Sequence, residues 1–151
     1  MTDKTILLVD DDPIIRLAYS RLLTVADYQV KTAGSAEQAL KIMRATPAPI
    51  LFLDLNLPGM SGIELCRVVR QEWPWSINIA ITGFTSLFEL VGCREAGFED
   101  YFTKPVDTKE LLAAAKAAHD KLDRWRHRHG MHPLKTARAA VPNHQTAAAK
   151  F

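Results

Sequence analysis

The chain has 151 residues, 48% of them hydrophobic and 24% charged, with a formal net charge of +2. That is the make-up of an ordinary globular protein with room for one sizeable core and little for a second. No stretch approaches the roughly 18–20 consecutive apolar residues of a membrane span, and Met1–Thr5 lacks the basic-then-apolar layout of a secretory signal. A membrane role is therefore set aside and a cytoplasmic protein expected.

The charge is unevenly spread. Residues 1–124 hold 14 Lys and Arg against 17 Asp and Glu, whereas residues 125–151 hold five basic residues, no acid and four of the five histidines. The body is mildly acidic and the tail basic, so the tail reads as adhesive, tethering or merely solvated.

Residues 5–10, Thr-Ile-Leu-Leu-Val-Asp, form a continuous apolar run of the kind that marks a strand buried on both faces. Asp12 followed by Pro13 is an N-cap with a proline at the first helical position, which predicts a helix through about Leu23. Tyr28–Ala33 reads as the second strand. Ser35 with Gln38 signals a capping box for a helix to Ala45, stopped before Pro47. Ile50–Asp54 is the third strand. After the Pro58-Gly59 turn, Ser61 with Glu64 caps a third helix. Ile77–Thr82 is the fourth strand, followed by a helix from about Ser86 to Ala96 that stops at Gly97. Asp100–Thr103 is a short fifth strand, and Asp107 with Glu110 opens a long last helix. Cys66 and Cys93 fall in predicted helices without metal-ligand spacing, so reduced, buried thiols are expected.

Strand and helix alternate five times, which predicts a doubly wound α/β fold with a five-stranded parallel sheet covered by helices on both faces. In such open sheets ligands bind beyond the carboxyl ends of the strands. Asp10 and Asp11 end the first strand, Asp54 the third, Thr82 the fourth and Lys104 the fifth. Helix capping accounts for any one acid, as at Asp12, but not for acids at the ends of strands one and three together. Three clustered carboxylates repel one another and call for a cation, and a hard oxygen-ligand set with places left for water suits Mg²⁺. Lys104 adds a fixed positive charge and Thr82 a small hydroxyl donor. Positioning plus charge neutralisation is what phosphoryl transfer asks for, with Asp54 as the nucleophile.

These motifs carry a family resemblance. Val9-Asp10-Asp11, Asp54 followed by Pro58-Gly59 and Gly62, Thr82-Gly83, and Lys104-Pro105 together resemble the receiver domain of bacterial two-component response regulators, over roughly residues 4–122. The resemblance implies a flavodoxin-like fold of strand order 2-1-3-4-5. It implies that Asp54 takes a phosphoryl group from a histidine kinase or phosphotransfer protein. Asp11, Asp54 and the backbone carbonyl of Asn56 would bind Mg²⁺ directly, and Asp10 mainly through water. Thr82 and Lys104 would hold the phosphoryl oxygens, and Tyr101 matches an aromatic switch that follows Thr82 inward. It also implies a cis bond between Lys104 and Pro105. The resemblance also implies that Asn56 and Phe84 occupy positions that tune phosphoryl lifetime, with Phe84 expected either to obstruct the hydrolytic water or to serve as ordinary packing.

The output end is read more loosely. Helix four carries Leu87, Phe88, Leu90, Val91 and Cys93, more apolar groups than one inward stripe needs, so either some of them face a partner or the core stripe is unusually wide. In the last helix Leu111, Ala115, Ala118, Leu122, Trp125 and His129 form a narrow heptad seam. A helix from Thr108 to His129 would run about 33 Å, with Leu122 and Trp125 expected beyond the sheet and Asp120–Arg124 and Asp123–His127 pairs supporting it. A homodimer through helices four and five, or docking of an unknown downstream protein, is the expected output. The division is a receiver at 1–124 and a helix end plus basic tail at 125–151. The 21 residues after Gly130 are too few for a helix-turn-helix domain, so a single-domain receiver without specific nucleic-acid binding is expected. His127, His129 and His132 are more readily solvated than metal-bound.

Two other classes were weighed. A haloacid-dehalogenase-like phosphatase also uses a strand-end Asp with Mg²⁺ but wants a second acid two residues on, where this chain has Asn56. A phosphorylation-independent receiver acting only as an interaction module conflicts with the complete Asp, Thr and Lys set. The chain is therefore read as a signalling protein rather than an enzyme.

Overall fold

The computed structural model describes residues 3–83 and 86–129. Phe84 and the tail from Gly130, including His132, lie outside the described residues, as does any test of the expectations placed on them.

Five parallel strands, β1 (Thr5–Val9), β2 (Gln29–Ala33), β3 (Ile50–Asp54), β4 (Ile77–Thr82) and β5 (Asp100–Thr103), form one sheet of order β2-β1-β3-β4-β5. Five helices alternate with them: α1 (Pro13–Val25), α2 (Ala36–Ala45), α3 (Gly62–Glu72), α4 (Leu87–Ala96) and α5 (Thr108–His129). This is the doubly wound parallel sheet that the alternation predicts, in the flavodoxin-like strand order that the resemblance implies. The period-2 geometry of the strands divides the core. Ile6, Leu8, Ile50, Phe52, Ile79 and Ile81 face Tyr19 and Leu23 of α1 and Leu111, Ala115 and Leu122 of α5. Leu7, Val9, Leu51 and Leu53 face α2 and α3 through Leu40, Met43, Leu65 and Val69. Ala80 meets Cys93 of α4 on that same side. Every residue of β1, β3 and β4 is buried, which is why those segments read as unbroken apolar runs.

Several local expectations need correction. Strand β1 stops at Val9, leaving Asp10 just beyond it. Helix α1 continues past Leu23 to Val25, because Asp27 ends it by adopting a left-handed φ of 76° without a glycine to announce the stop. At α2 the Ser35 hydroxyl accepts from Gln38 N–H as expected, but the Gln38 side chain reaches the Gly34 N–H at 2.7 Å instead of closing the box on Ser35. At α3 the Ser61–Glu64 box is complete in both directions. Leu122 is buried in the core, so only Trp125, 51% exposed, stands clear of the sheet among the two residues expected there. On α5 Asp120 pairs back to Lys116 at 2.9 Å, with the nearby Arg124 charge also favouring its ionised form, and the Asp123 carboxylate lies 4.0 Å from His119 Nδ1. Both cysteines are free and buried, and burial pushes the Cys66 thiol up to about 12. No described helix is long and apolar enough to cross a membrane.

One contact ties helix packing to the end of β3. Gly62, the first residue of α3, donates its N–H to the Leu55 carbonyl at 3.1 Å. A Cβ there would run into the Asp54 carbonyl oxygen and come within 2.7 Å of the Leu55 Cα, both rigid backbone atoms. Gly62→Ala is therefore expected to lower unfolding stability by about 1–3 kcal/mol, and to displace Asp54. Urea denaturation measures the first effect, and the chemical shift of the Asp54 amide in a ¹⁵N spectrum reports the second.

Candidate functional site

The site lies at the carboxyl edge of the sheet. Asp10 follows β1 and is tied there by its N–H to the Ala33 carbonyl at 3.1 Å and by Arg16, whose Nη1 donates to the Asp10 carbonyl at 2.6 Å. Its side-chain Oδ1 accepts from the Asp12 N–H at 2.9 Å. Asp12 in turn caps α1, with Oδ1 accepting from Ile14 at 2.9 Å. Asp54 ends β3, and its Oδ1 accepts from the Asn56 N–H at 3.0 Å. Each acid is thus oriented by backbone donors in the turn that follows its own strand.

Lys104 crosses from β5 to join them. Its N–H donates to the Thr82 carbonyl at 2.7 Å, continuing the β4–β5 ladder by one residue. Its Nζ lies 2.6 Å from Asp10 Oδ2 and 3.0 Å from Asp54 Oδ2. Lys104–Pro105 is cis. The pairing of Lys104 with Asp54 was expected from the sequence. The shorter bond to Asp10 was not, because nothing in the chain order says which acid lies nearer. Asp10 therefore makes a direct ion pair with Lys104, in addition to any role through water.

Asp10 and Asp54 are almost sealed from solvent, at 2% and 3% exposure, and Asp11 is exposed. Burial raises the Asp54 carboxyl above its ordinary value; Lys104 and the Asn56 N–H pull the other way without cancelling it, and Asp10 adds a small like-charge push. Burial works to lower the Lys104 ammonium, but its bonds to Asp10 and Asp54 outweigh that and raise it.

Carboxylate oxygens of Asp10, Asp11 and Asp54 all lie within 4.8 Å of one another. One ammonium cannot neutralise three carboxylates, and the donor set is entirely hard oxygen. The cluster fits a divalent ion such as Mg²⁺, held by these acids and screening their mutual repulsion. Thr82 is fully buried at the end of β4, and Asn56 Nδ2 donates to its hydroxyl at a long 3.5 Å. The sequence pointed to Asn56 for its backbone carbonyl; the structure shows its side chain directed at Thr82. Tyr101, on β5 opposite Ala80, is partly buried and packs on the cluster of Leu55, Ala80 and Cys93. The structure thus gathers Asp10, Asp11, Asp54, Asn56, Thr82 and Lys104 at one edge and leaves Tyr101 one step away along β5. Arg16 escaped the sequence reading, since a helix arginine six residues from an acid has no motif.

Residues 6–116 match the family model of the response regulator receiver domain. The chain belongs to that family. This receiver is 38% identical over 113 residues to the transcriptional regulatory protein KdpE of Mycobacterium tuberculosis, covering 75% of this chain and 50% of KdpE. It spans a quarter to half of the length of the curated relatives it matches. Among solved structures it resembles a CheY-like receiver domain protein from Methanospirillum hungatei JF-1, at 31% identity and TM-score 0.78, over 80% of this chain and 97% of that one. It also resembles the beryllofluoride-activated NtrC4 receiver domain dimer, at 27% identity and TM-score 0.75, over 79% and 98%. Receiver domains are the signalling modules of bacterial two-component systems, and they bind Mg²⁺ at an acidic pocket of this kind.

The bridge has a measurable weight. Removing Lys104 leaves two buried carboxylates facing each other without a counter-charge. Lys104→Ala is expected to cost about 3 kcal/mol at pH 7.5 without divalent cations. A carboxyl whose folded value is raised holds its proton more firmly when folded, so its penalty is absent at low pH and grows as pH rises through that value. The loss should accordingly be smaller at pH 5 than at pH 7.5. Urea unfolding of wild type and variant at the two pH values checks this; an equal loss at both would show that the bridge is not the cause. The raised Lys104 makes the wild-type contribution persist throughout this range, disappearing only as pH climbs beyond 10.5.

Proposed function

We propose that this receiver is a phosphorylation-switched signalling protein in which Asp54 is the phospho-acceptor. The observation that carries the reading is the pair of ion pairs from Lys104 to the buried Asp10 and Asp54 carboxylates, beside exposed Asp11. An Asp54 oxygen attacks the phosphorus of a phosphohistidine on a histidine kinase or phosphotransfer protein. The P–N bond breaks, its electron pair returns to the imidazole, and an acyl phosphate remains on Asp54. Asp11, Asp54 and the Asn56 backbone carbonyl would hold Mg²⁺, with Asp10 assisting. When bound, Mg²⁺ supplies positive charge to the phosphoryl oxygens. Lys104 supplies a second, covalently fixed charge, and Thr82 a hydroxyl donor from the neighbouring strand. Tyr101 serves as the ring that reports the change at Thr82 to the surface.

That surface is α4, β5 and α5. Leu87 and Phe88 are 78% and 87% exposed, and Val91 is about half exposed on the same helix. They are not a wide core stripe: among the described residues of α4 only Cys93 and Ala96 are buried. Large side chains held in water at this density suit a partner, either a downstream protein or a second copy of the chain. The activated NtrC4 receiver is a dimer, which supports the second copy. In this reading residues 1–124 are the receiver, and residues 125–151 are the end of α5 and a basic tail.

Two measurements test the reading. Incubation with acetyl phosphate or phosphoramidate and Mg²⁺ should add about 80 Da to the intact wild-type mass and nothing to Asp54→Asn; an unmodified wild type would overturn the assignment. For the output face, beryllofluoride with Mg²⁺ should double the solution mass in a concentration series. Phe88→Asp should remain monomeric while still acquiring the phosphoryl adduct. Dimerisation of Phe88→Asp equal to wild type would exclude α4 as the interface.

A further inference from the structure

Two helices of this chain begin with the same four-residue signal, Ser-x-x-Glu, yet use the glutamate differently. In α3 Ser61 and Glu64 form the full reciprocal box, with Glu64 Oε1 accepting from the Ser61 N–H at 3.1 Å. In α4 only half of the box is made: the Ser86 hydroxyl accepts from the Glu89 N–H at 3.1 Å. The Glu89 carboxylate does not turn back to the cap. Its Oε1 is buried without a hydrogen-bond partner among the described residues. A buried, unpaired carboxylate oxygen is costly, and more costly than the exposed alternative that the same motif adopts at Glu64.

Its surroundings suggest what it awaits. Glu89 lies one turn before Cys93 on the same face of α4, and Tyr101 packs on Cys93 from β5. Glu89 is close enough to both for its charge to push the Cys93 thiol and the Tyr101 phenol above their ordinary values, after the larger effect of burial. The Tyr101 hydroxyl has no hydrogen-bond partner among the described residues, while its backbone N–H is occupied by Asp100. Glu89, with a buried oxygen that makes no hydrogen bond among the described residues, and the Tyr101 ring thus border the same residue, Cys93, from α4 and from β5.

We propose that Glu89 is a positioning residue, the acceptor that captures the Tyr101 hydroxyl when the ring turns inward, and so latches β5 to the first turn of α4. The latch rests on the reading of Tyr101 as the moving ring. It gives that motion a destination particular to this chain. It also explains why the Ser86 box is left half-made: a carboxylate committed to its own cap could not serve the neighbouring strand. Because the bond forms in one arrangement only, it favours whatever ligand selects that arrangement.

Beryllofluoride binding to Asp54 with Mg²⁺, followed by ¹⁹F resonance intensity, reads the coupling. Glu89→Leu, which removes the acceptor, should weaken binding about tenfold, the weight of one hydrogen bond to a charged group. Tyr101→Phe should weaken it equally, and the double variant by no more than either alone. Glu89→Gln keeps an oxygen in place and should recover most of the affinity, a rescue that lost helix capping would not give. Unchanged binding in Glu89→Leu, or a double variant weakened by the product of the single effects, overturns the latch. Failure of wild type to bind beryllofluoride instead overturns the phospho-acceptor reading on which it stands.

Discussion

The constraint on which the rest of this molecule depends is the burial of like charge at the end of a hydrophobic sheet. Two carboxylates that are almost fully enclosed, Asp10 and Asp54, share one ammonium. In water such an arrangement would be worth little; in the crevice it is both costly and directional, because each group lacks solvent to replace its partner. Everything near the carboxyl edge serves to hold these atoms. Arg16 and the Ala33 carbonyl fix the Asp10 backbone, the Asn56 N–H fixes the Asp54 carboxylate, and the ladder bond from Lys104 to Thr82 sets the height of the lysine. The close seat of α3 on Asp54 and Leu55, which admits only Gly62, fixes the floor. An anion delivered to Asp54 enters a site whose charges are already in place and whose surplus is negative until a cation joins it. In the proposed reading, binding of a metal and acceptance of a phosphoryl group would be coupled by electrostatics before any conformational change.

Much of this was legible in the chain because two simple rules acted in sequence. Buried parallel strands have no polar face, so β1, β3 and β4 announce themselves as apolar runs. An open parallel sheet then brings the residues after those runs to one edge, which converts five scattered positions into a single site. What was not legible depended on distances rather than order. That Lys104 lies nearer to Asp10 than to Asp54 is a matter of a few tenths of an ångström between side-chain atoms, which chain order does not contain. Arg16 is one of several helix arginines until its guanidinium is seen on the Asp10 carbonyl. Asp27 ends α1 in a conformation that glycine would have advertised. Leu122 looked like the start of a free seam because the sheet's reach along α5 cannot be counted from the strand lengths alone.

Glutamates 64 and 89 sharpen the same lesson. Identical motifs open α3 and α4, and pattern reading assigns both to caps. The difference arises from what lies beneath. The first turn of α3 is fixed by Gly62 against β3, whereas Glu89 of α4 lies one turn before Cys93, on which Tyr101 of β5 packs. A short polar motif states what a side chain can do locally, and tertiary neighbours decide whether it does so.

Among the helices α4 is also thinly anchored, burying two small side chains where α1 buries Tyr19 and Leu23. It buries only Cys93 and Ala96, against four residues in each of α2 and α3. Stabilisation by burial scales with the apolar area removed from water, so α4 is held by a fraction of what anchors its neighbours, and such elements occupy the low-stability end of a fold. It begins four residues after the Thr82–Gly83 end of β4, and it keeps Leu87 and Phe88 in water at a standing cost in apolar exposure. A shift that covers those side chains with a partner recovers area that the core never used. Thin packing therefore lies next to the most highly charged site, and in the proposed reading that juxtaposition would let a change of charge on one carboxylate be read at a distance.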